Sequence, residues 1–465
     1  MRPLPDPTPV SPPLQAVQSD PTGQAEAAPL AGSYADPVDP VQAGSAWIRV
    51  FCEPIAGLPS GDGDSRPLRG VSFAVKDNID VFGFPTTAAC PELDRFASEH
   101  AFVVQRLLEF GARLVGKTNL DQFACGLNGT RSPYGIVPNA FNPDYVCGGS
   151  SSGSAFAVAT GQVDFALGTD TAGSGRVPAG LNNIVGFKPS KGLISTRGVL
   201  PAAQSIDCIS IFARTVGLAA RVLQAALKYD CEDPYSQQRA MRSHPYGHSF
   251  HFGVPEELEF LGDDLSRLAF HEASERLTAL GGIAVPVDFA PFREAGDLLY
   301  ESALVAERYC AIRSFFDANA DKVIEPVRTI IERGRQYSAA DLYDAQHRLQ
   351  RCMQRARRLW QTFDVLIVPT APTHYRIDQM LREPIVLNRN LGTYTNFVNL
   401  LDYAAVSVPS SIRIDGLPFG ITLIGLAGSD WALAELGQRY HHNCSLKQGA
   451  TGLALPDPIA IPGLS

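Results

Sequence analysis

The sequence has no run of 18 apolar residues, which excludes a conventional membrane-spanning helix. It has no block of Lys or Arg either, and 39 basic residues face 48 acidic ones, a net charge of −9. That balance argues against a bulk nucleic-acid binder or a ligand of anionic membranes. No CxxC pair occurs among the nine cysteines, an odd number at scattered positions, so a disulfide framework or a zinc site is not expected and a reducing cytoplasm fits best. The first residues, Met-Arg-Pro-Leu-Pro-Asp-Pro, contain no apolar core of a secretory signal.

What is present is a chain of 465 residues, 45% apolar and 19% charged, long enough for one large domain or two to three smaller ones. Proline is unevenly spread: ten of 35 lie between Pro3 and Pro40, among Ala, Gln, Asp and Ser. Such a stretch buries too little apolar surface to offset its ordering entropy, so residues 1–45 read as a disordered tail. From Ala46 onward strands and helices alternate. Gly70–Val75 reads as a buried strand; a helix over Glu99–Phe110, closed by Gly111, precedes a short strand at Arg113–Val115. A second such unit runs from His251–Val254 through a helix bearing Leu265, Leu268, Leu277 and Leu280 to Ile283–Val287. A long helix over about 339–363, apolar at Leu342, Ala345, Leu349, Met353, Ala356, Trp360 and Phe363, feeds the strand Val365–Val368. The alternation predicts an α/β fold with a mixed central sheet covered by helices on both faces.

Two formal motifs are rejected on mechanism. Gly111–Thr118 satisfies the Walker A pattern, but the residues between its glycines, Ala-Arg-Leu-Val, read as a strand rather than a phosphate-wrapping loop. Gly149-Ser-Ser-Ser-Gly153 satisfies G-x-S-x-G around Ser151, yet His347, His374, His441 and His442 lack the turn context a Ser-His-Asp triad needs.

The strongest signal is residues 145–195, where Gly148-Gly-Ser-Ser-Ser-Gly-Ser154 is followed by Gly168-Thr-Asp-Thr-Ala-Gly-Ser-Gly-Arg176. Interleaved Phe156, Val158, Val163, Phe165 and Leu167 rule out a linker. Small residues let backbone segments approach each other and a ligand. Consecutive N–H groups around a glycine-flanked serine are what an oxyanion hole requires.

These residues resemble the amidase signature family, Ser-Ser-Lys serine hydrolases, from about Trp47 to about Tyr440. The resemblance implies that Lys76 is the base, Ser150 the bridging serine after a cis Gly149–Ser150 bond, and Ser174 the nucleophile. The backbone N–H groups of Thr171, Ala172, Gly173 and Ser174 then form the oxyanion hole. A serine hydroxyl needs a base, and a lysine serves only when neutral, a state that burial favours.

Within the family the sequence is most similar to the amidase domain of allophanate hydrolase. The stretches that carry this include Lys76–Asp80, Pro85–Cys90, Gly116–Ala124, Gly168–Asn183 and Ser205–Ser210. The resemblance implies substrate binding by Tyr300 and Arg308, with Gly126 offering backbone contacts. Eight residues apart on one helix, Tyr300 and Arg308 would share a face with about 12 Å between them along the axis. Arg suits a carboxylate, which its planar fork grips through paired hydrogen bonds.

The expected reaction is hydrolysis of allophanate to ammonia and N-carboxycarbamate through an acyl-enzyme, without metal or organic cofactor. Expected partners are a small-molecule amide, a second copy of the chain as a homodimer, and a urea carboxylase in the same pathway. Neither nucleic acid nor membrane is expected. Other readings are a broad small-amide amidase, a glutamine-hydrolysing subunit of a tRNA-dependent amidotransferase, and a non-catalytic scaffold. Two departures accompany the resemblance. Family members carry helices ahead of the first core strand, where this sequence has its Pro-rich tail, Trp47–Phe51 and a Gly/Asp-rich loop. Longer allophanate hydrolases also continue into a C-terminal domain. The expectation here is a catalytic domain over 46–445 between an N-terminal tail and a C-terminal tail at 446–465.

Overall fold

Eleven strands of the computed structural model, which describes residues 44–57, 66–93 and 95–464, join in one mixed sheet. The expected N-terminal tail lies outside the described residues except for its last two. In chain order the strands are β1 (Trp47–Ala56), β2 (Ser72–Lys76), β3 (Arg113–Thr118), β4 (Phe165–Asp170), β5 (Val185–Lys188) and β6 (Cys208–Ala213). They continue with β7 (Phe250–Pro255), β8 (Gly282–Val287), β9 (Val365–Pro369), β10 (Tyr403–Ile412) and β11 (Pro418–Leu426). Across the sheet the order is β1-β3-β2-β4-β6-β5-β10-β11-β9-β7-β8. β2 runs parallel to β3 and β4, and β7 parallel to β8 and β9, while the other pairings are antiparallel.

Successive side chains of a strand point to opposite faces, and here each face meets its own apolar cluster. Phe73, Val75, Phe165, Leu167, Val365 and Ile367 join the core holding the helices Phe102–Glu109, Val216–Ala226 and Asp264–Ala279. On the other face, Ala74 and Ala166 pack with Ala155 and Val158 of the helix Ser152–Ala159. There too Leu366 and Val368 meet Phe292, Cys352 and Ala356 from the helices Ala290–Glu301 and Ala339–Leu359. Helices therefore cover both faces, as the alternation implied.

The Walker-like segment is the strand β3, as its branched residues required. The long helix ends at Leu359, and its packing stripe is narrower than the pattern implied, because Leu342 is exposed while Ala345, Cys352 and Ala356 are buried. Helix Asp264–Ala279 buries Ala269, Phe270, Ala273 and Leu277 and leaves Leu268 in solvent. Residues 446–464 carry no helix or strand, yet they lie on the body: Asn183 Nδ2 donates to the carbonyls of Lys447 and Gly449, and Ile461 is buried. No helix among the described residues is long and apolar enough to cross a membrane.

Candidate active site

β2 and β4 run side by side, with Val75 paired to Leu167, so their carboxyl ends open onto one place. Ligands of open α/β sheets gather at such ends. Lys76 is the last residue of β2, on the face of Ala74, where the serine-rich turn before helix Ser152–Ala159 also lies. The segment Thr171–Ser174, expected to carry the oxyanion hole and here called the oxyanion segment, leaves the end of β4. Only a small residue fits between them: a Cβ on Gly168 would stand 2.7 Å from Ser151 Oγ.

The three residues proposed from the sequence stand in line. Lys76 Nζ lies 2.8 Å from Ser150 Oγ, and Ser150 Oγ lies 3.0 Å from Ser174 Oγ. The Gly149–Ser150 peptide is cis. Lys76 and Ser150 are fully buried and Ser174 nearly so. Burial lowers the Lys76 pKa to about 7, a shift aided by Arg308 and opposed by the charges of Asp121, Asp207 and Asp170. At neutral pH a sizeable fraction is thus the free amine.

Two neighbours that sequence reasoning did not assign determine where that amine points. Lys76 Nζ also donates to Ser151 Oγ at 3.0 Å and Thr169 Oγ1 at 2.9 Å. Ser151 spends its own proton on the carbonyl of Thr169, at 3.2 Å, so its oxygen accepts from the lysine. A neutral amine has two hydrogens and one lone pair. With both hydrogens engaged, the lone pair faces Ser150. Ser151, the centre of the rejected G-x-S-x-G motif, is thus a hydrogen-bond partner of the lysine, and His374 is instead buried against the carbonyl of Pro418.

The oxyanion segment is held from below. Asp170 accepts the N–H groups of Gly173 and Gly175 and grips Arg176 through two 2.9 Å bonds. Burial by itself would raise the Asp170 carboxyl, but Arg176 and these hydrogen bonds hold it below its ordinary value. Gly173 has φ +125°, and a Cβ there would lie 2.3 Å from Thr395 Oγ1. Its N–H, one of four donors expected for the oxyanion hole, is committed to Asp170. Among the described residues, the N–H groups of Thr171, Ala172 and Ser174 find no protein acceptor. Thr395 Oγ1 donates to the carbonyl of Ala172, and Asn399 Nδ2 donates to that of Asp170. Asp170 and Arg176 sat inside the motif, but the sequence reading did not pair them; Thr395 and Asn399, more than 200 residues away, left no signal.

Gly126 places its carbonyl 3.5 Å from Ser174 Oγ, and a Cβ there would clash with the Asp121 carboxylate. Tyr300 and Arg308 do meet, but not on one helix. The chain breaks at Ser302, extended at φ −140°, whose hydroxyl donates to the carbonyl of Leu298 and accepts from Leu304 N. Tyr300 therefore ends one helix and Arg308 begins the next, Ala306–Asn319, bringing Arg308 Nη2 within 3.3 Å of Tyr300 Oη instead of two turns away. Arg308 is 4% exposed, and its Nε and Nη1 have no partner among the described residues. Three or more His, Cys, Asp or Glu side chains do not cluster for a metal anywhere among the described residues.

The family model described as Amidase matches residues 57–433, most of the chain. The chain belongs to the amidase family. Urea amidolyase of Saccharomyces cerevisiae is 48% identical over 386 residues, covering 82% of this chain but 21% of that protein. This chain thus spans about a fifth of the length of that relative. A glutamyl-tRNA(Gln) amidotransferase subunit of Symbiobacterium thermophilum is 34% identical over 82% of this chain and 84% of its own. Among solved structures, Kluyveromyces lactis allophanate hydrolase superposes with a TM-score of 0.86 at 41% identity, over 90% of this chain and 72% of that one. The shared fold is that of an amidase, a mixed sheet with helices on both faces.

Proposed function

We propose that this amidase cleaves allophanate, releasing ammonia and N-carboxycarbamate. The observation that carries the substrate assignment is Arg308: a buried guanidinium beside Tyr300, with two unpartnered nitrogens. A buried guanidinium with donors left unpaired is costly unless a ligand supplies acceptors, and a carboxylate matches its geometry. Similarity to the urea amidolyase and allophanate hydrolase above supports the same choice.

In this reading Ser174 Oγ attacks the carbonyl carbon of the terminal amide as its proton passes to Ser150 and the Ser150 proton passes to the Lys76 lone pair. The oxyanion is met by the free N–H groups of Thr171, Ala172 and Ser174. Collapse breaks the C–N bond, the relay returns the proton to nitrogen, and ammonia departs. Water, deprotonated through the same relay, then attacks the acyl carbon, and Ser174 Oγ leaves with a proton. A partner that carboxylates urea would supply the substrate. A cytoplasmic location belongs to the same proposal, supported by nine cysteines that are all free. The homodimer expectation is checked by size-exclusion chromatography with light scattering.

Ammonia release from allophanate, biuret, malonamide and glutamine tests the assignment. Wild type is expected to prefer allophanate, and Ser174→Ala to lose at least about 1,000-fold in kcat. Preference for glutamine would favour the other reading, suggested by the similarity to the amidotransferase. Near-normal turnover by Ser174→Ala would overturn the mechanism.

A further inference from the structure

Residues 202–207 form a short turn ahead of β6, and its two ends grip two different parts of the site. At one end Asp207 Oδ1 accepts the hydroxyl of Thr171 at 2.5 Å. Its other oxygen accepts the N–H groups of Ala202 and Ala203, at 2.7 and 3.1 Å. The carboxylate thus closes the turn on itself and ties it to the oxyanion segment. At the other end Ser205 donates its N–H and its hydroxyl to the two oxygens of Glu307, at 2.6 and 2.7 Å. Glu307 immediately precedes Arg308. The carbonyl of Ile206 is held by Asn399 Nδ2, the same group that holds Asp170, so the turn has little freedom to shift alone.

We propose that this turn is a clamp, with Asp207 and Glu307 as positioning residues that set the oxyanion segment and the substrate-binding arginine relative to each other. The proposal rests on the amidase reading above. Neither acid needs to touch substrate. Asp207 acts through Thr171, whose N–H is one of the free oxyanion donors, and Glu307 acts through the first turn of the helix that presents Arg308. A hydrolase for a substrate this small gains from such a link, because the distance between its anionic end and its reacting carbonyl is short and fixed. A misplacement of about 1 Å at either end costs on the order of 100-fold in rate.

The charges agree with the geometry. Burial raises the Asp207 carboxyl to about 6 against its hydrogen bonds and Arg308, so it is charged at pH 7, and it is one of three acids, with Asp121 and Asp170, that raise the Lys76 pKa against burial and Arg308. Removing the Asp207 charge therefore lowers the Lys76 pKa further, an effect that loosened packing would not produce.

The test compares allophanate with biuret, which has the same length but an amide in place of the carboxylate, using the full chain. Asp207→Asn is expected to lower kcat about 10- to 100-fold on both amides and to move the acid limb of the pH profile to lower pH. Glu307→Ala is expected to raise KM for allophanate about tenfold while kcat/KM for biuret stays within about threefold, since only the first reports the arginine. Asp207→Asn with kcat within about threefold and an unmoved limb, or Glu307→Ala acting equally on both amides, would overturn the clamp. Should Asp207→Asn not fold, Glu307→Ala decides by itself. A wild type inert on both substrates would instead overturn the amidase reading, an outcome distinct from any pattern among the variants.

Discussion

Lys76 owes its chemistry to where its side chain is buried. In the proposed mechanism, protonation below about pH 7 removes the lone pair that would receive the Ser150 proton, so activity should fall toward acid. A kcat/KM profile for allophanate is expected to rise through a limb near pH 7 and stay level above it until another group titrates; a limb at the ordinary lysine value would mean that the lysine is not desolvated. Arg308 gives a second prediction at this scale. Charge-assisted hydrogen bonds are worth roughly 1.5–3 kcal/mol each, so Arg308→Leu should raise KM for allophanate about 100-fold and affect biuret far less, as read by steady-state ammonia release. Lys76, Ser150 and Ser174 were legible as candidates through the resemblance to the amidase signature family. Thr169 and Ser151, which aim the amine, were legible as residues but not as partners, since no spacing rule says which hydroxyls surround a buried lysine.

Among the elements, the segment after β4 shows how a loop is made rigid. Asp170 and Arg176 are both fully buried and bonded to each other; Asp170 also accepts the backbone N–H groups of Gly173 and Gly175, and Arg176 donates to the carbonyl of Thr395. Removing one partner of a buried pair leaves an uncompensated charge and costs about 3–5 kcal/mol. Asp170→Asn is therefore expected to lower the midpoint of thermal or urea unfolding by an amount of that size, and activity with it, because the Gly173 turn would lose its anchor. The break between Tyr300 and Arg308 was not legible. Helical spacing over Tyr300–Arg308 is unremarkable, and the interruption depends on Ser302 turning its hydroxyl back to Leu298 while Leu299 and Val305 bury themselves on neighbouring elements.

For the molecule as a whole, the sheet is closed over by chain from its far end. Gln438 Nε2 donates to the carbonyl of Ile459, Ala450 N donates to that of Ala159, and Asn183 reaches Lys447 and Gly449. Removing residues 447–465 forfeits these bonds, at about 0.5–1.5 kcal/mol each, and exposes the surface under Ile461. A loss of about 3–5 kcal/mol in unfolding free energy is expected, with kcat/KM on allophanate within about threefold, because none of these contacts reaches the triad.

The sequence by itself determined the fold class and the strands β2, β7, β8, β9 and the start of β3, because periodicity is a local property, and its resemblance to the amidase signature family supplied the candidates for base, bridge and nucleophile. Tertiary structure decided the rest. It brought Thr395 and Asn399 under the oxyanion segment, committed Gly173 N–H to Asp170, and turned Arg308 back onto Tyr300. Hydrogen-bond partners and desolvation are set by what lies close in space, and residues hundreds of positions apart supply them.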